Sequence, residues 1–291
     1  MLAVGSPLFS VVVPCRDEGE MLARTLESIA ASRGPSYEVI VVDDQSRDPV
    51  EPHNLAGARL VRGPGLGPAA ARNAGAAVAK AEFLVFVDAH VLVPPDWLEI
   101  LLAIFRRYPG LAAVSPGIAA EDNPRRTGYG LTWDARLNVR WLSRPLGTLA
   151  EVPLLPGGCL AVRRQVFLAA GGFDRGFRGY GHEDEEISLR LWLLGHQLAA
   201  TGEFSIVHRF RPRFPYLVKL GEMYYNLLRM GVIHFSEERM AKLLFLVRKS
   251  IDPTLLVARL MVDGSVMDRE RLARERVRDD GWFFERFGIP F

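Results

Sequence analysis

Cysteine is scarce in this chain, which has only Cys15 and Cys159 among its 291 residues. Two cysteines cannot form the disulfide framework that stabilises many small secreted proteins. The cysteine count therefore excludes a disulfide-rich scaffold and suits a protein of a reducing compartment.

Long apolar runs are also lacking, and so is a strong excess of charge of one sign. No uninterrupted apolar stretch reaches the roughly 20 residues of a membrane span, and the N-terminus lacks the charged start and cleavage site of a signal peptide. The 36 lysines and arginines nearly balance the 34 aspartates and glutamates. This balance requires no nucleic-acid partner and leaves an anionic substrate open. We therefore expect a cytoplasmic protein that does not bind nucleic acid.

Strand-like and helix-like stretches alternate through the first half of the chain. β-Branched runs predict strands at 9–14, 37–42 and 83–87, and apolar residues at helical spacing lie between them. This alternation predicts an α/β fold with a largely parallel central sheet and helices on both faces. Ligands of such sheets bind beyond the carboxyl ends of the strands. The 49% hydrophobic content is enough for a sizeable core.

The second half of the chain has a less regular pattern than the first. After a short predicted strand at 111–114, residues 121–151 have no clear period, and we expect a long irregular segment over the site. Residues 1–212 form the expected catalytic domain, and residues 213–291 an expected helical C-terminal extension. The apolar side chains between Tyr224 and Val232 could form a peripheral membrane or partner surface, or pack against the catalytic domain.

Asp88-Ala89-His90 is the sharpest local pattern, and it follows a predicted buried strand. Residues i and i+2 at the end of a strand point the same way, so the carboxylate and the imidazole can meet one ion. This mixed pair suits Mn²⁺ or a similar ion better than a calcium-type oxygen cage, and we expect Mn²⁺ or Mg²⁺ as the cofactor. Such an ion would stabilise a leaving nucleoside diphosphate. The alternative is an aspartate that caps the following turn beside a solvated histidine.

His208 is the candidate for a further ligand, with a structural histidine as the alternative. Arg209, Arg211 and Arg213 follow it and could help to neutralise a diphosphate.

Other polar groups also follow the predicted strands. Asp43 and Asp44 can accept hydrogen bonds from a base or a ribose, although an Asx-type turn is an equal alternative for one of them. Arg72 could reach the base or the phosphates, or be a surface arginine. Gly157 and Gly158 would let the backbone approach a sugar, but a plain turn would look the same.

An acidic cluster at 183–186 precedes an apolar helical run. A helix start stabilised by the macrodipole explains Glu185 and Glu186. A carboxylate of this cluster, placed over the site, could be the general base that takes the proton of an acceptor hydroxyl.

Five motifs in this order resemble glycosyltransferases of the GT-A fold, family 2 in particular, over about residues 8–212. They are Val11-Val12-Val13-Pro14-Cys15-Arg16-Asp17-Glu18, Val41-Val42-Asp43-Asp44-Gln45-Ser46, Ala71-Arg72-Asn73-Ala74-Gly75, Phe86-Val87-Asp88-Ala89-His90 and Gly181-His182-Glu183-Asp184.

The resemblance implies a hexosyl- or N-acetylhexosaminyltransferase that uses a nucleotide-sugar donor, most simply a UDP-sugar. By resemblance, Asp184 with Glu183 is catalytic, and Asp88, His90 and His208 hold the metal. The donor-binding residues it implies are Pro14, Arg16, Glu18, Asp43, Asp44, Arg72, Asp88, Gly157 and Gly158.

His90 departs from family 2, which has a second aspartate there. Asp-x-His with a late histidine is similar to the polypeptide N-acetylgalactosaminyltransferases, which retain anomeric configuration and have asparagine where this chain has Asp184. We therefore favour inversion, with a retaining transferase or a non-catalytic nucleotide-sugar binding protein as alternatives. The acceptor (glycan, lipid, protein or small molecule), a homodimer and a location at the inner membrane face are left open.

Overall fold

The computed structural model describes residues 6–143 and 147–291, so residues 1–5 and 144–146 of the expected catalytic domain lie outside it. The strands are β1 (Phe9–Cys15), β2 (Tyr37–Asp43), β3 (Arg59–Arg62), β4 (Phe83–Val87), β5 (Val91–Leu92), β6 (Leu111–Ala120), β7 (Asn123–Gly128), β8 (Leu131–Trp133), β9 (Val139–Trp141), β10 (Leu149–Glu151), β11 (Cys159–Arg163) and β12 (Gln197–His208). The helices are α1 (Glu20–Ala30), α2 (Pro68–Val78), α3 (Trp97–Arg107), α4 (Arg164–Ala169), α5 (Glu183–Leu193), α6 (Leu220–His234), α7 (Glu237–Arg248), α8 (Thr254–Leu260), α9 (Ser265–Glu275) and α10 (Asp280–Arg286).

Ten of the strands form one central sheet within the described residues. Its main path runs β10-β12-β6-β11-β4-β1-β2-β3, with β5 paired to β12 and β7 to β6. Strands β3, β2, β1 and β4 are parallel, and β6 and β12 run the same way because β11 is antiparallel to both β4 and β6. Six of the ten strands therefore run in one direction, and the parallel part β3-β2-β1-β4 is the one that the sequence predicts, whereas β5, β7, β10 and β11 run the other way.

Alternating side chains of the buried strands face two separate layers of helices. Val12 and Phe86 belong to one core, together with side chains of α2, α5 and the C-terminal helices. Val11 and Val85 belong to the other core, with side chains of α1 and α3. Both faces of the sheet are covered, which explains why these strands are continuous apolar runs.

Two expectations for the middle of the chain are corrected. Strand β6 extends from Leu111 to Ala120 rather than ending at 114, although Ser115-Pro116-Gly117 interrupts its apolar run. The segment 121–151 contains the four short strands β7 to β10 instead of being irregular throughout. All three residues of β9 are exposed, and a strand of three residues is too short for a sequence pattern to identify it.

The C-terminal extension packs against the rest of the chain. Tyr225, Leu228 and Met230 are buried in the same core as Phe86 and Trp192. Packing of α6 against the sheet and α5 is thus the observed arrangement, and these three side chains are not available to a membrane. Among the described helices, none combines the length and the apolar character needed to cross a bilayer.

Buried polar contacts join α6 to the segment before α5 and to α5 itself. Asn226 is fully buried, accepts a hydrogen bond from the Arg178 amide and donates to the carbonyls of Arg178 and Gly181. Arg229 forms ion pairs with Asp174 and with two aspartates of the C-terminal region. The C-terminal extension therefore holds the segment that precedes α5 in place.

Glu186 of α5 forms the innermost of these contacts. Its carboxylate pairs with Arg190 at 2.7 Å and with His234 of α6 at 2.8 Å. Burial by itself would raise the pKa of Glu186, but Arg190 and His234 outweigh it and lower the pKa from 4.5 to about 2. The ionised carboxylate is therefore a stabilising group at neutral pH.

We predict that Glu186→Gln lowers the free energy of unfolding at pH 7 and weakens its dependence on pH in acid. Because the folded pKa lies below the unfolded one, the contribution of Glu186 is complete above about pH 5 and disappears toward pH 2. At about 1.4 kcal/mol per pKa unit, the difference amounts to roughly 2–4 kcal/mol. Urea unfolding between pH 3 and pH 7 measures it, with exposed Glu27→Gln as control. The prediction would be contradicted if the free energy of unfolding changed equally with pH in the unchanged protein and in Glu186→Gln.

Candidate functional site

The carboxyl ends of the central strands open into a cavity of about 1030 Å³. Except for Asp43 and Arg213, every residue that the sequence analysis singled out for catalysis, donor binding or metal lines this cavity. They are Pro14, Arg16, Glu18, Asp44, Arg72, Asp88, His90, Gly157, Gly158, Glu183, Asp184, His208, Arg209 and Arg211. Residues separated by almost 200 positions in sequence thus meet at one edge of the sheet.

Three possible metal ligands lie together at the base of the cavity. Asp88 and His90 follow β4, and His208 ends β12, which pairs with β5 and so comes beside His90. Their ligand atoms lie within 4.8 Å of one another. The Nε2 atom of His208 is 3.4 Å from Oδ2 of Asp88, and the two imidazole rings are 4.8 Å apart.

The chemistry of these three side chains fits a divalent transition metal. Burial would raise the pKa of Asp88, but the hydrogen bond from His208 and the charge of Arg72 hold it well below its usual range. Asp88 is therefore an anionic ligand across the physiological range. One carboxylate oxygen with two imidazole nitrogens suits Mn²⁺ and similar ions better than Ca²⁺.

Glu18 lies directly behind His90. Its Oε1 is 3.3 Å from Nδ1 of His90, and its other oxygen forms an ion pair with Arg211. Burial raises the pKa of Glu18, but its interactions with His90 and Arg211 outweigh this and lower it. A carboxylate on the far nitrogen of a ligand histidine is the usual way to fix its ring, so Glu18 supports the metal cluster from behind.

Arg72 is a buried arginine surrounded by carboxylates. Its side chain is only 3% exposed and lies 3.0 Å from Asp88, 3.1 Å from Glu183 and 3.3 Å from Asp184. It belongs to α2, which begins at Pro68 directly after the Gly-rich loop. The same guanidinium therefore connects the metal cluster to the N-terminus of α5.

Asp184 is held against the wall of the cavity. Its Oδ2 accepts a hydrogen bond from the Gly157 amide at 2.7 Å. Burial and the neighbouring Glu183 raise the pKa of Asp184, and Arg72 opposes this rise. A Cβ at Gly157 would lie 2.3 Å from Oδ1 of Asp184, so the glycine permits the close approach. The raised pKa makes this carboxylate a stronger base than an ordinary aspartate.

The adjacent aspartates at the end of β2 have different surroundings. Asp43 accepts hydrogen bonds from the amides of Ser46 and Val50 and pairs with Arg62. Asp43 closes an Asx-type turn, which was the structural alternative for one of the two aspartates, and it does not line the cavity. The structure therefore gives no support for a contact between Asp43 and the base of the donor. Asp44 does line the cavity, and its oxygens accept hydrogen bonds from the amides of Gly65 and Gly67.

Several residues of the cavity were not among the predicted site residues. Tyr180, Phe214 and Tyr216 form one aromatic group at its rim, and Trp141 packs near Phe210, which follows His208. They lie mostly in loops, where no periodic signal marks them. Trp141 belongs to the segment that the sequence places over the site. His182 also lines the cavity. The sequence indicated its place in the site only through its position inside the acidic motif Gly181-His182-Glu183-Asp184.

Two family models match the chain. The model of glycosyl transferase family 2 covers residues 10–169, and that of the N-terminal domain of galactosyltransferase covers residues 144–213. The first spans more than half of the chain and contains β1, the Asp44 turn, Arg72 and the Asp88-x-His90 pair.

The curated relatives match over most of this chain, which spans about half of their own length or less. Polypeptide N-acetylgalactosaminyltransferase 11 of Xenopus tropicalis is 31% identical over 79% of this chain and 43% of its own length. Pre-mycofactocin glycosyltransferase of Mycobacterium tuberculosis is 32% identical over 69% of this chain and 43% of its own length.

A solved structure shares the fold. The crystal structure of GalNAc-T7 with UDP, GalNAc and Mn²⁺ superposes with a TM-score of 0.72 at 20% identity, over 98% of this chain and 57% of that one. This likeness confirms the fold class expected from the order of strands and helices.

We predict that Arg72→Gln lowers the free energy of unfolding at pH 7 by about 3 kcal/mol or more, because it leaves buried carboxylates without a counter-charge. Arg107→Gln is the matched control, since Arg107 pairs with Glu203 at the surface and exposed pairs contribute about 0–1 kcal/mol. Urea unfolding of both variants measures the difference. Equal losses in the two variants would show that Arg72 does not carry this role.

Proposed function

The chain belongs to glycosyl transferase family 2, and from that membership we propose that it moves a sugar from a UDP-sugar to a hydroxyl acceptor. The resemblance on which the sequence analysis relied is confirmed by the family match over residues 10–169. Relatives named as N-acetylgalactosaminyltransferases and as a glycosyltransferase support transfer of a sugar. Solved structures of the same fold with UDP or UDP-GlcNAc support a uridine donor.

One observation carries the proposal. The possible metal ligands and the raised-pKa carboxylate of Asp184 share one cavity, and the guanidinium of Arg72 lies between Asp88 and Asp184. A donor whose diphosphate lies at Asp88 therefore places its sugar next to a base. This is the arrangement that transfer to a hydroxyl needs.

In the proposal, Asp88, His90 and His208 hold Mn²⁺ or Mg²⁺. When bound, such an ion supplies positive charge that neutralises the diphosphate and makes it a better leaving group. Arg211 and Arg16 also line the cavity and add charge of the same sign for the anionic donor. Glu18 keeps the ring of His90 in one orientation.

Asp184 is proposed as the general base of an inverting displacement. Its carboxylate takes the proton of the acceptor hydroxyl while the acceptor oxygen bonds to the anomeric carbon and the bond to UDP breaks. Burial strengthens this base, and Arg72 keeps part of it ionised at neutral pH. Glu183 takes part by orienting Arg72 through their ion pair.

A retaining transferase is the second candidate, and a specific observation favours it. The Asp-x-His pair with a late histidine forms a compact cluster, and the family of polypeptide N-acetylgalactosaminyltransferases supplies several relatives. In that scheme the metal cluster is the same, but Asp184 is not the base.

The sequence also predicts a cytoplasmic location and allows a homodimer. These remain predictions, and the identity of the acceptor remains open.

The two schemes give different results for Asp184→Asn. Under inversion, we predict that this variant loses about 10²–10⁴-fold in kcat, because general base catalysis contributes about that much. The product of the unchanged protein should have the anomeric configuration opposite to that of the donor. NMR of the product and steady-state kinetics measure both, with exposed Asp252→Asn as control. A retained configuration together with an active Asp184→Asn variant would favour the retaining scheme.

A further inference from the structure

His182 has a backbone conformation that ordinary residues avoid. It lies immediately before α5 with φ at +66°, in the left-handed region that favours glycine. The neighbouring positions Gly179 and Gly181 also have positive φ and are glycine. A histidine in this conformation costs backbone energy that glycine would avoid, and such costs gather at positions where a side chain has a task. We therefore ask what the imidazole of His182 contacts.

The imidazole is fixed from behind by a buried pair of side chains. Nδ1 of His182 lies 2.9 Å from Oε1 of Glu185, and the other oxygen of Glu185 accepts a hydrogen bond from the indole of Trp133. Glu185 and Trp133 are 7% and 2% exposed. Both oxygens of Glu185 are thus engaged, and the ring has little freedom to turn. Burial lowers the pKa of His182, but Glu185 outweighs it and raises the pKa.

The free edge of the ring belongs to the cavity. His182 lines the cavity beside Glu183 and Asp184, and no hydrogen bond to its Nε2 is found within residues 6–143 and 147–291. Glu185 holds Nδ1 and so leaves Nε2 for a ligand. With Nδ1–H on Glu185, Nε2 accepts a hydrogen bond from a hydroxyl when the ring is neutral and donates one to a hydroxyl or carbonyl oxygen when the ring is protonated. Hydroxyls and carbonyl oxygens are the polar groups of a hexose or an N-acetylhexose.

The position of Arg72 indicates which ligand group reaches this nitrogen. One guanidinium spans the gap between Asp88 and the first turn of α5. For a donor whose diphosphate lies at Asp88, the N-terminus of α5 with His182 is therefore within reach of the attached sugar.

We propose that His182 hydrogen-bonds the sugar of the donor through Nε2 and determines which UDP-sugar the protein prefers, with Glu185 and Trp133 as positioning residues. This inference rests on the proposed function. A site that hydrogen-bonds a ligand hydroxyl rejects analogues that misplace it, because its own polar group is then left without a partner.

The test compares binding of UDP with binding of four UDP-sugars in the presence of Mn²⁺: UDP-glucose, UDP-galactose, UDP-N-acetylglucosamine and UDP-N-acetylgalactosamine. Calorimetry is done on the unchanged protein, on His182→Gly and His182→Asn, and on Glu185→Gln. Glycine and asparagine both tolerate positive φ, so these variants keep the backbone. Ala56→Gly, at an exposed position with φ of +48°, controls for the removal of backbone strain.

We expect the unchanged protein to bind one UDP-sugar at least about tenfold more tightly than the weakest of the four. In both His182 variants this preference should fall to about threefold or less, while the affinity for UDP stays within about twofold. Glu185→Gln should reduce the preference partly, and Ala56→Gly should keep it.

Three results would overturn the inference. The first is a preference that survives in both His182 variants, the second is an equal loss of UDP and UDP-sugar affinity, and the third is an unchanged protein with no preference among the four sugars. Failure of the unchanged protein to bind UDP at all is a separate outcome, which would remove the proposed function and the inference with it.

Discussion

The buried guanidinium of Arg72 is the interaction on which the site depends. Asp88, Glu183 and Asp184 come from two distant parts of the chain and would repel one another at this spacing, but each lies within 3.3 Å of Arg72. Burial makes such a cluster costly unless every charge has a partner. Because one cation serves both the possible metal ligand Asp88 and the proposed base Asp184, their relative positions are set before any substrate binds.

Helix α5 carries this arrangement and is held from both sides. At its start, Asp184 is bonded to the Gly157 amide, and two positions later Glu186 is bonded to Arg190 and to His234 of α6. Asn226 holds the segment just before it. The C-terminal helices thus form part of the structural support of the site, which gives a physical reason for their shared core with the sheet.

The sequence predicted those parts of the protein that follow from local periodicity. The strands at 9–14, 37–42 and 83–87 and the groups at their ends are within a residue or two of the structure, because buried parallel strands are continuous apolar runs. Strands β11 and β12 were not predicted, and neither were the short strands of 121–151, most of which have only three residues and therefore too little pattern to recognise. The sequence pattern could not show that Glu18 contacts His90 whereas Asp43 closes a turn. Each role depends on which cation or amide lies opposite the carboxylate in the fold. The left-handed conformation of His182 leaves no trace in the sequence.

The central claim is that the Asp88, His90 and His208 cluster holds a metal that binds the donor's diphosphate. Calorimetric titration of UDP, first into metal-free protein and then in the presence of Mn²⁺, tests it most directly, with His90→Ala as the test variant and His196→Ala as its control. The account predicts UDP binding that requires Mn²⁺, is lost in His90→Ala and is kept in His196→Ala. UDP binding of equal strength with and without Mn²⁺, or Mn²⁺-dependent binding that survives in His90→Ala, would contradict it.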